Sequence, residues 1–152
     1  MEIEAWETLI NGTNCPMCAN KSPMNLLLPL PSGRAILLDD GDFKGYLILE
    51  YRRHVTEITD LSPQERSQLA EDVNACASAL QSALHPNKIN YVILGNEVPH
   101  LHVHIIPRYF DDGWWGKPTW LRPADRKLTL SAEDYDKLRE TLLIAFRVAG
   151  RI

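Results

Sequence analysis

With 152 residues, 45% of them hydrophobic and 24% charged, the chain has the make-up of one globular domain large enough to bury a core. A net charge of −4, with no basic stripe, argues against a grip on a DNA or RNA duplex; a small phosphorylated ligand, which a few local donors can hold, stays open. Three cysteines are an odd number, against a disulfide framework and for a reducing compartment.

The acidic start Met1-Glu2-Ile3-Glu4 is unlike a secretory leader. No run reaches the ~18 apolar residues of a membrane span, so the expectation is a cytoplasmic protein. Trp6, Leu9 and Ile10 followed by Asn11-Gly12 predict a short helix that stops there. Cys15-Pro16-Met17-Cys18 then forms a turn. This spacing serves as half of a zinc site, as a redox pair, or as a turn with two unliganded thiols, and the pair alone does not choose among them.

Leu26 to Leu30, broken by Pro29 and followed by Pro31, reads as an edge strand. Residues 35–38 and 46–49 are short apolar runs around Asp39-Asp40-Gly41-Asp42, strong turn chemistry, and predict an antiparallel pair. Tyr51-Arg52-Arg53-His54 ends the second run. Taken alone, its arginines are a solvated charged edge and His54 a surface histidine.

Ser62, Pro63 and Glu65 are an N-cap, a first helical residue and the partner of a capping box. Leu69, Val73, Cys76, Leu80 and Leu84 follow at spacings of three and four, a buried helical stripe that claims Cys76 for packing. His85-Pro86-Asn87 ends the helix, with His85 placed to suit the helix dipole. Residues 88–94 predict a strand, Gly95-Asn96-Glu97 a turn, and a tight hairpin is expected to bring the Gly95–Asn96 backbone close to the next strand.

That next strand is His100-Leu101-His102-Val103-His104-Ile105-Ile106. Strict alternation places the three imidazoles on one face and Leu101, Val103 and Ile105 on the other. At a rise of ~3.4 Å per residue, neighbouring histidines stand ~7 Å apart and the outer two ~14 Å apart. Two neighbours can share a metal ion; three on a flat strand are poorly placed to do so, and the row suits an extended ligand. After Pro107 comes an irregular run with Tyr109, Phe110, Trp114, Trp115 and Trp120. A loop this long closes a pocket, covers a partner subunit, or packs on the core. Ser131 then caps a last helix whose buried face is Tyr135, Leu138, Leu142, Ala145 and Ala149, with Gly150 as its stop. Grouped rather than alternating strands and helices predict an α+β fold with an antiparallel sheet.

A neutral imidazole is a good nucleophile near pH 7. Attack on phosphorus gives a covalent phospho-histidine that water resolves, splitting one hard step into two. Neighbouring imidazoles can hold the tautomer or supply a proton to the leaving group, and N–H groups of a Gly-containing turn can stabilise phosphoryl oxygens.

The histidine row matches at every position the His-φ-His-φ-His-φ-φ motif, φ being apolar, and with Gly95-Asn96-Glu97-Val98-Pro99 before it and Pro107-Arg108 after it the chain resembles bacterial members of the histidine-triad (HIT) family. The resemblance covers residues 35–108, and the Trp-rich loop and last helix fit it more loosely. It implies a single HIT-like domain over 1–152, with a Cys-x-x-Cys segment at about 1–25 and a loop and helix at about 108–152, an antiparallel sheet of about five strands and two main helices. It also implies a homodimer with a continuous sheet across the pair. The implied activity is nucleotide hydrolysis or nucleotidyl transfer at the α-phosphate of dinucleoside polyphosphates or nucleoside phosphoramidates. His102 is then the nucleophile, His104 contacts phosphate and leaving group, and His100 orients the site. Asn96, with Gly95, lies near the phosphate and Asp39 near the ribose. Some members bind structural zinc, for which the matching positions are Cys15, Cys18, His54 and His100; the chemistry itself requires no cofactor. Tyr46 stands where many relatives have a histidine, and Glu97 where several have Ser, Thr or Gln, so both bear on substrate choice. The competing readings are a nucleotide-binding scaffold with little turnover and a zinc-binding module; the latter leaves His102 and His104 unexplained.

Overall fold

The computed structural model describes residues 3–150. Along them run α1 (Ile3–Ile10), α2 (Pro16–Ala19), β1 (Leu26–Leu30), β2 (Gly33–Leu37), β3 (Leu47–Tyr51), α3 (Pro63–Leu84), β4 (Lys88–Val92), β5 (His102–Arg108) and α4 (Ala132–Val148). The strands form one antiparallel sheet in the order β1-β2-β3-β5-β4, an α+β architecture as the grouping of elements predicts. Pro29 sits on the edge strand β1 opposite Arg34, where a missing N–H is tolerated. Gly33 is required at the next turn, because a Cβ there would stand 1.9 Å from the Glu50 carbonyl oxygen.

Strand alternation sorts the two faces. Leu47, Leu49 and Tyr51 of β3 and Val103 and Ile105 of β5 are buried in one core with Leu69, Cys76 and Leu80 of α3 and Leu142 and Phe146 of α4. The opposite face of the central strands carries Ile48 and Glu50 across the ladder from His104 and His102. Helix α3 starts as its sequence dictates: the Ser62 hydroxyl accepts the Glu65 N–H at 3.2 Å and the Glu65 carboxylate accepts the Ser62 N–H at 2.9 Å, a cap worth ~1 kcal/mol. Its C-cap is His85 in the left-handed conformation, φ 49°, whose N–H donates to the Gln81 carbonyl; His85 therefore closes the helix through its backbone rather than only facing its dipole. In α4, Ser131 caps the Asp134 N–H. Phe146 is fully buried, though absent from the predicted face, and Ala149 lies at the exposed end.

Two expectations around the histidine row change. Strand β4 ends at Val92, paired with His104, and the connection through residues 93–101 is long rather than tight. Gly95 at φ 146° and Pro99, which lacks an N–H, do not support continued pairing. Strand β5 therefore begins at His102, and His100 and Leu101 precede it. Leu101 is still anchored: its N–H donates to the Val55 carbonyl at 2.7 Å, and its carbonyl accepts the Tyr51 N–H at 3.0 Å. Among the described residues no helix is long and apolar enough to cross a membrane.

Candidate active site and metal centre

Because His100 lies outside the regular strand, its side chain leaves the row. Its Nε2 lies 2.8 Å from the Tyr51 carbonyl oxygen. A carbonyl only accepts, so Nε2 carries the proton and Nδ1 keeps a free lone pair. That Nδ1 sits 3.5 Å from the sulfurs of both Cys15 and Cys18. His54 is arranged the same way: Nε2 lies 2.7 Å from the Ile10 carbonyl oxygen, and Nδ1 is 3.5 Å from Cys18 Sγ. The four ligand atoms all lie within 4.8 Å of one another. Zinc–sulfur and zinc–nitrogen bonds of ~2.3 and ~2.0–2.1 Å at tetrahedral angles put S and N ~3.6 Å apart. The observed spacing is thus the edge of such a tetrahedron, and two thiols converging on one imidazole lone pair are better accounted for by a shared cation than by two hydrogen bonds. These four side chains fit a metal ion and supply the donor set of a closed structural site. His54, by sequence alone a surface histidine, belongs to it.

The segment that carries the two thiols is fastened to the sheet by a residue the sequence did not single out. The Arg34 guanidinium on β2 donates to the carbonyls of Met17, Asn20 and Lys21 and to the Glu50 carboxylate, the last at 2.6 Å. Only three-dimensional proximity brings Arg34 beneath α2, so no local signal marks it.

At the other end, His102 is turned the opposite way. Its Nδ1 is 2.5 Å from the His100 carbonyl oxygen, so Nδ1 carries the proton and Nε2 keeps the lone pair. The His102 and His104 rings meet edge to face, centroids 4.8 Å apart at 70°. His104 Nδ1 is 2.8 Å from the Tyr46 hydroxyl. Burial, followed by the neighbouring His102, lowers the pKa of His104 to about 4, so it is neutral at pH 7. His102 is buried, 7% exposed, and it stands behind His104 rather than among the residues that line the neighbouring cavity.

His104 lines a cavity of about 280 Å³ whose other walls are Tyr46, Val92, Leu94, Ile106, Thr119, Trp120, Arg122, Ala124 and Lys127. One wall is the Trp-rich loop of the same chain. Trp115 and Trp120 are 43% and 58% exposed, so neither is packed in the core, and Trp120 is one of the cavity's lining residues. Two arginines brace the loop. Arg108, buried at the end of β5, pairs with Asp112 at 2.7 Å and donates to the Asn90 side chain and the Trp114 and Lys117 carbonyls. Arg122 forms ion pairs of 2.5 Å with Asp40 and Asp42 and lies over the Phe43 ring. Asp40 also accepts the Asp42 and Phe43 N–H groups, the turn chemistry read from the sequence. Neither Arg122 nor Asp40 was singled out there; the dense Asp39-Asp40-Gly41-Asp42 run was the one available sign.

The remaining candidates stand apart from this cavity. Gly95, Asn96 and Asp39 are not among its lining residues. Asn96 is exposed, and Asp39 accepts the Leu130 N–H at 2.7 Å. Glu97 is exposed in the same connection. A second cavity of about 590 Å³ runs between β4 and the loop, from Lys88 to Trp120.

Comparison with known proteins decides the family. The HIT domain matches residues 20–111, more than half of the chain, and takes in His54 and all three histidines of the row. The chain belongs to the HIT family. It is similar to a histidine triad protein from Bradyrhizobium japonicum, 30% identical over 80% of this chain and 89% of that one, TM-score 0.74. A HIT protein from Sinorhizobium meliloti is 27% identical over 79% and 87%, TM-score 0.72. A zinc-bound HIT family protein from Mycobacterium smegmatis shares the fold at 20% identity, over 91% and 96%, TM-score 0.64. No curated protein matches this HIT chain.

Proposed function

We propose that this HIT protein hydrolyses nucleotide conjugates, or transfers their nucleotidyl group, at the α-phosphate. The observation that carries the reading is the hydrogen bond from His102 Nδ1 to the His100 carbonyl, which leaves the Nε2 lone pair as the reactive end of the ring. In the proposed reaction Nε2 forms a bond to the α-phosphorus while the bond to the leaving group breaks with its electron pair on the departing oxygen or nitrogen, which takes up a proton from solvent water. Water then attacks the nucleotidyl-histidine, the N–P bond breaks, and nucleoside monophosphate is released. His104, which lines the neighbouring cavity, is proposed to hydrogen-bond phosphate and leaving group. His100 contributes its carbonyl, and Gly95, Asn96 and Asp39 remain proposed contacts to phosphate and ribose in the bound state. The test is incubation with adenosine phosphoramidate or diadenosine tetraphosphate and measurement of AMP. Release of AMP by the wild type is expected; tight binding without release would favour a scaffold.

Cys15, Cys18, His54 and His100 are proposed to hold structural zinc, as their geometry and the zinc-bound Mycobacterium smegmatis relative support. When bound, zinc would tie the N-terminal segment to the chain leaving β3 and to the chain entering β5; it takes no part in the proposed phosphoryl chemistry. Metal analysis before and after Cys15→Ser is the check, and equal zinc content would count against it. A homodimer is proposed from the edge strand β4, where Tyr91, with Ile93 and Leu94 beyond it, is exposed beside the larger cavity, a surface suited to pairing with a second copy. Sedimentation measures it directly.

A further inference from the structure

Tyr46 occupies a constrained place. Gly45 before it has φ +93° and packs so closely on α3 that a Cβ would stand 2.5 Å from Leu84 Cδ1. Leu47 after it enters the β3–β5 ladder opposite Ile105. The Tyr46 and His104 rings meet edge to face, centroids 5.8 Å apart at 62°, with the hydroxyl on Nδ1 at 2.8 Å.

We propose that Tyr46 is a positioning residue that holds His104 as the tautomer with its proton on Nε2, so that His104 meets the substrate as a hydrogen-bond donor while His102 beside it offers a lone pair. The inference rests on the nucleotide-conjugate reading for its catalytic consequence, but not for the tautomer itself. Three observations support it. The Tyr46 hydroxyl has no other hydrogen-bond partner among the described residues, so donation to Nδ1 is the arrangement that satisfies its proton. Burial, followed by the Asp40 carboxylate, pushes the phenol up to about 12, which keeps the O–H intact at neutral pH. His104 is neutral there, so it carries one N–H, and a donor already on Nδ1 places it on Nε2.

The consequence is a division of labour between two imidazoles in contact. His102 presents Nε2 without a proton because a carbonyl holds its Nδ1–H; His104 presents Nε2 with a proton because a phenol supplies its Nδ1. As the His102 N–P bond forms, the bond to the leaving group breaks with its electron pair moving to the departing atom, and the His104 N–H stabilises the charge that collects there or on the phosphoryl oxygens. With the opposite tautomer, two lone pairs would face an anionic substrate.

The experiment pairs nitrogen-15 NMR of the histidine side chains with kinetics on adenosine phosphoramidate. In the wild type at neutral pH, His104 is expected as the Nε2–H form. In Tyr46→Phe that signature is expected to weaken or exchange with the Nδ1–H form, and kcat to fall about 10²-fold with KM little changed; Tyr46→His, which restores an N–H donor, is expected to recover part of kcat. A wild-type His104 protonated on Nδ1, or a Tyr46→Phe enzyme with unchanged tautomer or unchanged kcat, overturns the proposal. Should the wild type cleave no conjugate, the hydrolase reading fails, and the NMR comparison still decides whether Tyr46 sets the tautomer.

Discussion

The two ends of the histidine row use the same side chain in opposite senses. At the cysteine end, His54 and His100 each give Nε2–H to a backbone carbonyl and turn Nδ1 toward the cysteines. At the other end, beside the cavity that His104 lines, His102 gives Nδ1–H to a carbonyl and keeps the lone pair on Nε2. The nitrogen available for chemistry is the one that the nearest backbone acceptor does not take. His100 joins both ends: its ring belongs to the cysteine–histidine cluster and its carbonyl accepts the Nδ1–H of His102, the proposed nucleophile. A cation at one end can therefore firm up the other without approaching the substrate.

The comparison breaks most sharply at His102. His102→Ala is expected to lower AMP release by roughly 10⁴-fold or more while zinc content and melting temperature stay near wild type. Activity that survives the replacement would remove the proposed nucleophile. Cys15→Ser acts at the opposite end. It is expected to abolish zinc binding and to lower Tm by about 5–10 °C, with the nucleophile still in place; calorimetry and metal analysis read the two effects together.

Arg122→Ala tests the loop that walls the cavity beside His104. Asp40 is 2% exposed as a side chain and Arg122 9%. Removing the cation strands a buried carboxylate, a change that costs about 3–5 kcal/mol in such pairs. Urea unfolding is expected to show that loss, and zinc content to be unaffected.

The smallest effect is the titration of His104. Its pKa is lowered to about 4 by burial and by His102, against ~6.5 in the unfolded chain. Between these values the unfolded state binds more protons, so this group's contribution to stability is full above pH ~6.5 and is lost as pH falls toward 4. Side-chain NMR is expected to show His104 still neutral at pH 5.5, and a midpoint near 6.5 would contradict the buried environment.

Much of the scaffold was legible because it rests on local rules. The Ser62 capping box, the α3 stripe through Leu69, Cys76 and Leu80, the edge position of Pro29 and the Ser131 cap all follow from residues a few positions apart. The connection after β4 was not, because strand pairing depends on what lies opposite, and Leu101 is held by Val55 and Tyr51 from a distant part of the chain. Arg34, Arg122 and Asp40 were missed for the same reason: each owes its role to partners brought close by folding, and Arg122 and Asp40 stand 82 positions apart.

The sequence alone determined the α+β class, the alternation that sets His102 and His104 on the face opposite a buried Val103 and Ile105, and a row of imidazoles with the chemistry to attack phosphorus. Spacing and side-chain chemistry are enough for that. Only the tertiary structure decided that His100 turns to Cys15, Cys18 and His54, that Tyr46 meets His104, and which ring nitrogen each histidine offers. Those outcomes depend on where a carbonyl or hydroxyl comes to rest in space, and hydrogen bonds are directional enough that a displacement of about an ångström would reverse them.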